Sequence, residues 1–355
     1  MKGLLLAGGH GTRLRPLTYT GNKHMLPIAN KPMILYGLEQ LRNAGIEEIG
    51  VVLGPIREGV KELLGDGSKY GVRITYIDQP EPLGLAHAVL LSEGFVGGEP
   101  FVTYLGDNLL KQGVKGFVEK YEEEGADCVV GVSPVKDPGR FGVAEMEGGK
   151  IVRLAEKPKA PKSNLALVGV YVFDRSMIEV TRKIRPSSRN ELEITDAIQG
   201  MLAEGKKVEA VNVTGWWKDT GRPEDLLEAN QLVLSDLEGR VEGDVSPGAR
   251  VTGQVSVGKN SKVLAGCRIS GPVTIGCNCV LGPGLYVGPF ASIGDDCVVR
   301  DVEIENSIVM KGCRIEGGDR IIDSLIGGYS TILGSERARP SGHKLVVGER
   351  SMMQI

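Results

Sequence analysis

The sequence predicts an α/β domain with a mainly parallel sheet, followed by an all-β parallel β-helix, and three observations lead to this prediction. The chain has 355 residues, more than one hydrophobic core usually supports, so two domains are expected. Up to about Leu237, short apolar runs alternate with amphipathic stretches, as in repeated βα units. From Val245 onwards an aliphatic residue recurs at every sixth position, which is the signature of a parallel β-helix.

In the first domain, seven apolar runs are predicted to form buried strands: Lys2–Ala7, Ile49–Leu53, Val72–Ile77, Phe101–Leu105, Cys128–Val132, Ala166–Phe173 and Val208–Val213. Between them, Pro32–Ala44 carries apolar residues at helical spacing. Pro223 and the two acidic residues after it form a favourable helix start, because proline fits the first turn and acids suit the positive end of the helix dipole. We expect this helix to end near Leu237 and to close a Rossmann-like domain over residues 1–238.

The six-residue pattern then runs through ten aliphatic positions, namely Val245, Val251, Val257, Val263, Ile269, Ile275, Leu281, Val287, Ile293 and Val299. It breaks at Glu305 and resumes at Val309, so an irregular coil or a small insertion is expected there. Glycine often follows the aliphatic residue, where it would suit a tight corner, and this accounts for the high total of 51 glycines. Residues 239–355 are therefore predicted to form a left-handed β-helix with a polar, capping tail after Leu333.

The cysteines favour packing over metal binding. Cys267, Cys279 and Cys297 each lie four places after an aliphatic residue of the pattern, in a position otherwise filled by small residues. The sequence has no Cys-x-x-Cys pair, so we expect buried free thiols rather than a zinc site, and Cys128 is expected to be buried in its strand.

The four histidines do not follow a metal-ligand spacing. His87 and His343 are predicted to be loop or surface residues, whereas His10 and His24 lie beside the motifs described below and are candidates for substrate contact.

The net charge and the N-terminal apolar run argue against some functional classes for this protein. A formal net charge of -3 argues against nucleic-acid binding, which requires a strongly basic surface. The apolar run at the N-terminus is too short for a secretory signal or a membrane span. We therefore expect a cytoplasmic protein that acts neither on nucleic acid nor at a membrane.

A glycine-rich loop, Gly8–Leu14, follows the first predicted strand and ends with Arg13 and Leu14. Such a loop can bring backbone N–H groups against phosphate oxygens. It matches neither the P-loop pattern nor the G-x-G-x-x-G pattern of dinucleotide-binding proteins. A second cation, Lys23, follows shortly afterwards in the segment Lys23–Pro27, and Asn30–Met33 comes next, so the loop is a candidate phosphate site.

These segments resemble those of glucose-1-phosphate thymidylyltransferases, within the wider sugar-1-phosphate nucleotidyltransferase family. Further similar blocks follow in the same order: Leu105–Asn108, Glu156–Pro158, Glu191–Asp196 and Trp217–Gly221. The repeat region resembles that of the longer members. His10, His24 and Phe141 depart from the family pattern, in which a small residue, glutamine and tyrosine are common at these positions.

The resemblance implies a role for each matched position. The catalytic set comprises Arg13, Lys23, Asp107, Lys157 and Asp219, and the nucleotide-binding set comprises Leu6, Gly8, Gly9, Gly11, Thr12, Arg13, Gln79, Gly84 and Asp107. The sugar phosphate is expected at Gly142, Glu156, Lys157, Val168, Arg189 and Trp217, with Gly142 and Val168 flanking the sugar through backbone groups. Asp107 follows an apolar strand, which places it at the ligand-binding edge of an open sheet. Mg²⁺ usually takes one or two carboxylates together with substrate phosphates, so Asp107 and Asp219 are its expected ligands.

The implied reaction joins glucose 1-phosphate to the nucleotidyl group of dTTP, without a protein nucleophile. The β-helix is expected to serve assembly or regulation rather than nucleotidyl transfer, and a homo-oligomer is predicted. The same chemistry on UTP or N-acetylglucosamine 1-phosphate is the nearest alternative. Acetyl transfer commonly needs a histidine base, and the repeats contain no histidine before His343. A regulatory subunit is the third possibility, against which the intact catalytic positions argue.

Overall fold

The computed structural model describes residues 1–334 and divides into two compact units, Met1–Ala229 and a second unit that begins at Asn230. The predictions for His343 and for the tail after Leu333 concern residues outside this described part. Within it, none of the helices has both the length and the apolar character needed to cross a bilayer.

The first unit alternates strands and helices along the chain. Its strands are β1 Lys2–Ala7, β2 Pro27–Ile28, β3 Lys31–Pro32, β4 Glu48–Leu53, β5 Arg73–Asp78, β6 Phe101–Leu105, β7 Asn108–Leu110, β8 Cys128–Pro134, β9 Gly142–Glu147, β10 Lys150–Glu156, β11 Leu165–Phe173, β12 Val208–Asn212 and β13 Trp217–Asp219. The helices are α1 Met33–Asn43, α2 Glu58–Leu64, α3 Leu85–Leu91, α4 Glu93–Val96, α5 Lys115–Glu124, α6 Ser176–Thr181 and α7 Ile194–Ala203. A further helix, α8 Pro223–Ser235, begins in this unit. All seven predicted strands are present, each within two residues of its predicted ends.

One mixed sheet organises this unit. Strands β6, β1, β4 and β5 lie side by side and parallel, with β1 between β4 and β6. Strand β11 pairs antiparallel with β6 and leads to β8 and to the β9–β10 hairpin, which the strand pattern did not predict. The Rossmann-like α/β prediction is confirmed, with a larger antiparallel part than expected.

The central strand β1 is buried on both faces because helices cover both sides of the sheet. Leu4 and Leu6 belong to one hydrophobic cluster, and Leu5 and Ala7 belong to the cluster on the opposite face. This alternation follows from the two-residue period of a strand. A strand held so tightly gives the loop that follows it a fixed starting point.

The second unit consists of short parallel strands stacked in three sheets within the described residues. These strands are β14 Asp244–Val245, β15 Arg250–Thr252, β16 Val255–Val257, β17 Lys262–Val263, β18 Arg268–Ser270, β19 Val273–Ile275, β20 Val280–Leu281, β21 Tyr286–Val287, β22 Ala291–Ile293, β23 Val298–Arg300, β24 Glu303–Glu305, β25 Ile308–Val309, β26 Arg314–Glu316, β27 Arg320–Ile322, β28 Leu325–Ile326 and β29 Thr331–Leu333. Val263 pairs with Leu281, and Leu281 pairs with Val299, so each of these coils takes 18 residues. The predicted β-helix is confirmed, and coils of three six-residue sides are consistent with the left-handed form.

The break in the repeat is an irregular, shortened coil, which is one of the two expected outcomes, and it contains no insertion. Ile304 and Val309 are both fully buried, and they follow Val299 and Ile304 by five residues instead of six. Each of these two sides of the coil is therefore five residues long instead of six. The apolar interior still receives one aliphatic side chain from each side, which is why the stack continues through the change in spacing.

Most glycines that follow an aliphatic residue of the repeat allow close approach between coils, whereas Gly282 adopts a left-handed conformation with a φ of 92°. A Cβ on Gly258 would lie 2.6 Å from the carbonyl carbon of Gly276 in the next coil. Other left-handed positions are held by Asn260, Asn278 and Asp296, with φ of 61°, 57° and 58°. Asparagine and aspartate tolerate this conformation better than most residues, and these side chains also bond to one another along the stack.

The cysteine prediction is confirmed. Cys128, Cys267, Cys279 and Cys297 are all 1% exposed or less, and the cysteines of the described residues are free thiols. The thiols of Cys279 and Cys297 donate to backbone carbonyl oxygens of neighbouring coils, at 3.1 and 3.3 Å. These contacts satisfy the thiols within the core.

Replacing Leu281 with alanine should weaken the β-helix, because this fully buried side chain fills the stack between two coils. A cavity of this kind costs about 2–5 kcal/mol. Hydrogen exchange measured by mass spectrometry should show faster exchange in peptides spanning residues 262–300. The matched control Leu333→Ala alters a residue that is 64% exposed and should leave those peptides unchanged. Equal protection in both variants would contradict this account of the core.

Candidate active site

A cleft of about 480 Å³ opens at the carboxyl ends of the parallel strands. It is lined by sixteen of the residues predicted for the site: Leu6, Gly8, Gly9, Gly11, Thr12, Arg13, Lys23, Gln79, Gly84, Asp107, Gly142, Glu156, Lys157, Arg189, Trp217 and Asp219. They come from nine separate segments of the chain, so their meeting in one cleft is a result of the fold. A cleft of this volume can hold a nucleotide or a sugar phosphate.

Val168 is the one predicted site residue that the structure does not place on the cleft lining. Its side chain is fully buried and packs in the hydrophobic cluster that includes Leu5 and Val170. Its neighbours in strand β11, Leu167 and Gly169, line the cleft instead. Side chains alternate along a strand, so adjacent positions face opposite sides of the sheet.

The glycine-rich loop leaves β1 and is fixed to the next motif by Asn22. The Asn22 amide donates to the carbonyl oxygen of Ala7, at the end of β1, and to that of Ile56. Its oxygen accepts from the backbone N–H of His24 at 2.9 Å. Asn22 therefore places Lys23, which lies between Asn22 and His24, beside the glycine-rich loop.

Lys23 and Asp107 form an ion pair with little exposure to solvent, since their side chains are 14% and 15% exposed. Strand β13 lies antiparallel to β7, with Asp219 opposite Asn108, and this pairing brings the second carboxylate next to Asp107. Thr220 secures the junction, because both its N–H and its hydroxyl donate to the Asp107 carbonyl oxygen, at 3.1 and 2.7 Å.

The two carboxylates differ in their electrostatic surroundings. Burial opposes ionisation of Asp107, but the positive charge of Lys23 and bonds from Lys23 and Asn108 hold its pKa below the usual value. Burial and the negative charge of Asp107 raise the pKa of Asp219 above its usual value. Two carboxylates pressed together in this way favour the binding of a cation between them.

Arg13 reaches the same corner of the cleft. Its guanidinium Nη2 and the Asp219 Oδ2 lie 3.1 and 3.4 Å from the point where a Cβ on Gly221 would stand. A Cβ at position 221 would press against the Arg13 guanidinium, which would have to shift slightly, whereas its distance from Asp219 would be an ordinary contact.

Two histidines that the sequence marked as candidates for substrate contact line the cleft. His10 is exposed on the glycine-rich loop, whereas the ring of His24 is 1% exposed. The Nδ1 atom of His24 lies 2.7 Å from Asn22 Oδ1. Burial, reinforced by the charge of Lys23, lowers the pKa of His24 to about 3, so the ring is neutral.

A second charged cluster lies on the opposite side of the cleft. The carboxylate of Glu156 contacts Lys157 at 3.2 Å and Arg189 at 3.1 Å, and it accepts from the Thr195 hydroxyl at 3.1 Å. Arg189 also donates from Nε and Nη2 to Glu193, which is 4% exposed. Glu193 was not predicted as a site residue, although it lies within the Glu191–Asp196 block.

Asn108 links the two sides of the cleft. Its oxygen accepts from the Trp217 indole N–H at 2.6 Å and from the Gly169 N–H at 3.2 Å. Its amide nitrogen donates to Asp107 Oδ1 at 3.0 Å. The Trp217 ring in turn packs edge-on against Phe141, with the ring centroids 5.4 Å apart.

Gln79 and Gly84 lie together near the glycine-rich loop. Gly84 adopts a φ of 109°, and a Cβ there would stand 2.3 Å from the Leu192 carbonyl oxygen, so only glycine fits. The Gln79 amide nitrogen donates to the Gly84 carbonyl oxygen at 3.1 Å and lies 3.2 Å from His87 Nδ1. His87 lies in α3 rather than in a loop, is partly exposed, and contacts a site residue.

Comparisons with known proteins agree with this site. A family profile described as Nucleotidyl transferase matches residues 2–236. The chain is 48% identical to the low-salt glycan biosynthesis nucleotidyltransferase Agl11 of Haloferax volcanii, over the full length of both. It is 44% identical to a glucose-1-phosphate thymidylyltransferase of Streptomyces griseus, over 100% of this chain and 99% of the relative.

Solved structures resemble the first unit. A Bacillus anthracis protein assigned as a glucose-1-phosphate thymidylyltransferase, in complex with a sucrose, has a TM-score of 0.62 and 39% identity, covering 65% of this chain and 94% of that one. A UDP-glucose pyrophosphorylase complexed with UDP-glucose has a TM-score of 0.60 and 29% identity, covering 66% and 98%.

The fold and the cleft therefore define a transferase of nucleotidyl groups. The chain belongs to the nucleotidyl transferase family, which the profile match and the full-length relatives establish together. The prediction of a nucleotidyltransferase with a C-terminal β-helix is confirmed.

Replacing Asn108 with alanine should destabilise the first unit, because the buried Gly169 N–H would lose its acceptor and the part-buried Trp217 indole would lose a hydrogen bond. An unsatisfied buried donor costs about 1–3 kcal/mol. Denaturant unfolding followed by tryptophan fluorescence would measure the loss. The matched control Asn43→Ala changes an exposed residue at the end of α1 and should change stability by less than about 0.5 kcal/mol. Similar midpoints for the two variants would show that Asn108 does not hold the strands together.

Proposed function

We propose that this chain transfers the nucleotidyl group of dTTP to glucose 1-phosphate, forming dTDP-glucose and pyrophosphate. The observation that carries the proposal is the 44% identity over the whole chain to proteins named glucose-1-phosphate thymidylyltransferase. The cleft supports it, because cations that could hold a triphosphate and a sugar phosphate line the same cleft as the paired carboxylates.

The carboxylates fit Mg²⁺ as the metal. Asp107 and Asp219 supply oxygen ligands, which hard cations prefer, and the described residues contain no group of three or more potential ligands that would form a complete protein cage. Mg²⁺ typically takes one or two carboxylates and completes its shell with phosphate oxygens and water. When bound, it would neutralise charge on the nucleotide phosphates.

The reaction requires anions to be brought together. A phosphate oxygen of the sugar phosphate forms a bond to the α-phosphorus, the bond from this phosphorus to the bridging oxygen breaks, and pyrophosphate leaves. Arg13 and Lys23 provide positive charge on the nucleotide side. Lys157 and Arg189 hold the incoming sugar phosphate, so the chain contributes by positioning and by charge stabilisation.

Glu156 has two tasks in this scheme. Its carboxylate pairs with Lys157 and Arg189, which would otherwise repel each other. Once a phosphate takes over the two cations, the carboxylate is available to accept hydrogen bonds from sugar hydroxyls. Gly142 lies beside it, since a Cβ at that position would stand 3.3 Å from Glu156 Oε2, and this leaves room for a sugar ring.

Use of UTP is the second candidate, and a specific observation favours it: the fold of the first unit is shared with a UDP-glucose pyrophosphorylase. That protein is 29% identical and covers the first unit alone, whereas the thymidylyl relatives match the full chain at 44%. We propose a preference for dTTP because the thymidylyl relatives have the higher identity to this chain and match more of it.

Residues 239–355 are proposed to serve assembly rather than nucleotidyl transfer. All residues lining the described cleft precede Arg222, and the parallel coils supply a long surface for contact between subunits. A homo-oligomer in the cytoplasm, where nucleoside triphosphates are made, is the state we propose.

Replacing Asp107 with asparagine should lower kcat by at least about 100-fold, because the variant keeps the shape of the residue but loses a charge that orders the metal and phosphates. Pyrophosphate release at saturating Mg²⁺ measures the effect. Glu119→Gln, on the exposed side of α5, removes a carboxylate outside the cleft and should retain full activity. Near-normal turnover by a folded Asp107→Asn variant would refute the metal assignment.

The nucleotide preference can be tested with dTTP, dUTP and UTP. The substrates differ by one methyl group and one hydroxyl, and a methyl group in an apolar pocket is worth about 10–200-fold in kcat/KM. We therefore expect dTTP to be preferred, with measurable use of UTP. A kcat/KM for UTP equal to or above that for dTTP would exclude the thymidylyl assignment and leave the family assignment intact.

A further inference from the structure

The side chain of Gln79 is held in one orientation before any nucleotide binds. It is 6% exposed, and its backbone N–H donates to the Leu53 carbonyl oxygen at 2.8 Å. The amide has two different ends, and an asparagine or glutamine that can turn over reads a base ambiguously. The contacts around this amide therefore decide which end faces the cleft.

The Gly84 carbonyl oxygen defines one end. A carbonyl oxygen can only accept, so the amide atom 3.1 Å away from it must be the nitrogen. The loop around Gly84 is itself fixed, because the N–H of Leu192 donates to the Leu83 carbonyl oxygen at 2.7 Å and the N–H of Ala86 donates to the Leu192 carbonyl oxygen at 3.1 Å. The acceptor that orients Gln79 therefore has a firm position.

His87 takes the second hydrogen of the same nitrogen. Its Nδ1 lies 3.2 Å from the Gln79 nitrogen, and a neutral imidazole with its proton on Nε2 accepts at Nδ1. Burial lowers the pKa of His87, with Glu81 opposing this effect, which favours the neutral ring. Both N–H bonds of the amide are then used within the protein.

The oxygen of Gln79 is left for the cleft. It lies 2.6 Å from the point where a Cβ on Gly8 would stand, at the start of the glycine-rich loop. Gln79 therefore presents an acceptor alone, rather than the donor and acceptor that the residue type offers. Thymine and uracil carry an N–H donor at N3, whereas cytosine carries an acceptor there.

We propose that His87 is a positioning residue that holds the Gln79 amide so that only its oxygen faces the nucleotide base, and that it thereby selects bases with N3–H over cytosine. The inference rests on the proposed function and on the place of Gln79 in the nucleotide-binding set that the family resemblance implies. His87 does not line the cleft, so it acts through Gln79 rather than by touching the nucleotide.

The test is the ratio of kcat/KM for dTTP to that for dCTP, because a ratio is insensitive to the fraction of active enzyme. His87→Leu removes the acceptor and should lower this ratio about 2- to 10-fold, the effect of one neutral hydrogen bond. The ratio for dTTP to dUTP should stay constant, since both bases carry N3–H. His87→Asn places an acceptor oxygen near the Nδ1 position and should restore the original ratio.

The outcomes separate the two proposals. An unchanged dTTP-to-dCTP ratio in His87→Leu, or a ratio in His87→Asn as low as in His87→Leu, would overturn the role of His87. A change in the dTTP-to-dUTP ratio of the same size would also overturn it, because the effect would then be general damage to the pocket. Failure of the unaltered protein to release pyrophosphate from any of these nucleotides with glucose 1-phosphate would instead reject the proposed function.

Discussion

Two carboxylates that the sheet presses together dominate the electrostatics of this protein. Asp107 ends a buried parallel strand, and the pairing of β7 with β13 brings Asp219 beside it. Their mutual repulsion and limited solvent contact raise the pKa of Asp219, while Lys23 holds that of Asp107 low. Asn22, Asn108 and Thr220 serve to keep this arrangement in place, because each of them bonds to backbone or side chains at the junction.

The cluster around Glu156 also pairs cations with a carboxylate. Lys157 and Arg189 both form ion pairs with Glu156, so the two cations lie close together with their charges compensated. Exposed ion pairs of this kind contribute little to stability, which makes them easy to exchange for a phosphate. Glu193 differs from Glu156 because it is buried, and its carboxylate accepts a hydrogen bond from the Arg189 guanidinium.

The second unit meets a different constraint. Each coil must supply one aliphatic side chain to the interior from every side. This requirement is still met where two sides around Ile304 are five residues long. Neighbouring backbones approach so closely that glycine is needed at positions such as Gly258, while asparagine and aspartate occupy the left-handed corners. Local, repeated contacts of this type explain why so short a sequence period specifies a long structure.

The sequence by itself determined the two fold classes, the seven main strands and the blocks from which the site is built. It did so because hydrophobic periodicity is local, and because a glycine-rich loop or a carboxylate after a buried strand has the same meaning in any fold of this type. The family assignment likewise depended on short motifs in a fixed order.

Only the tertiary structure decided which neighbours each side chain has. It placed Val168 in the core, Glu193 behind Arg189 and His87 against Gln79, since these outcomes depend on strand register and on loops that meet from distant parts of the chain. It also chose which end of the Gln79 amide faces the cleft. Such choices arise from three-dimensional packing and hydrogen bonding, for which the order of residues along the chain carries no local signal.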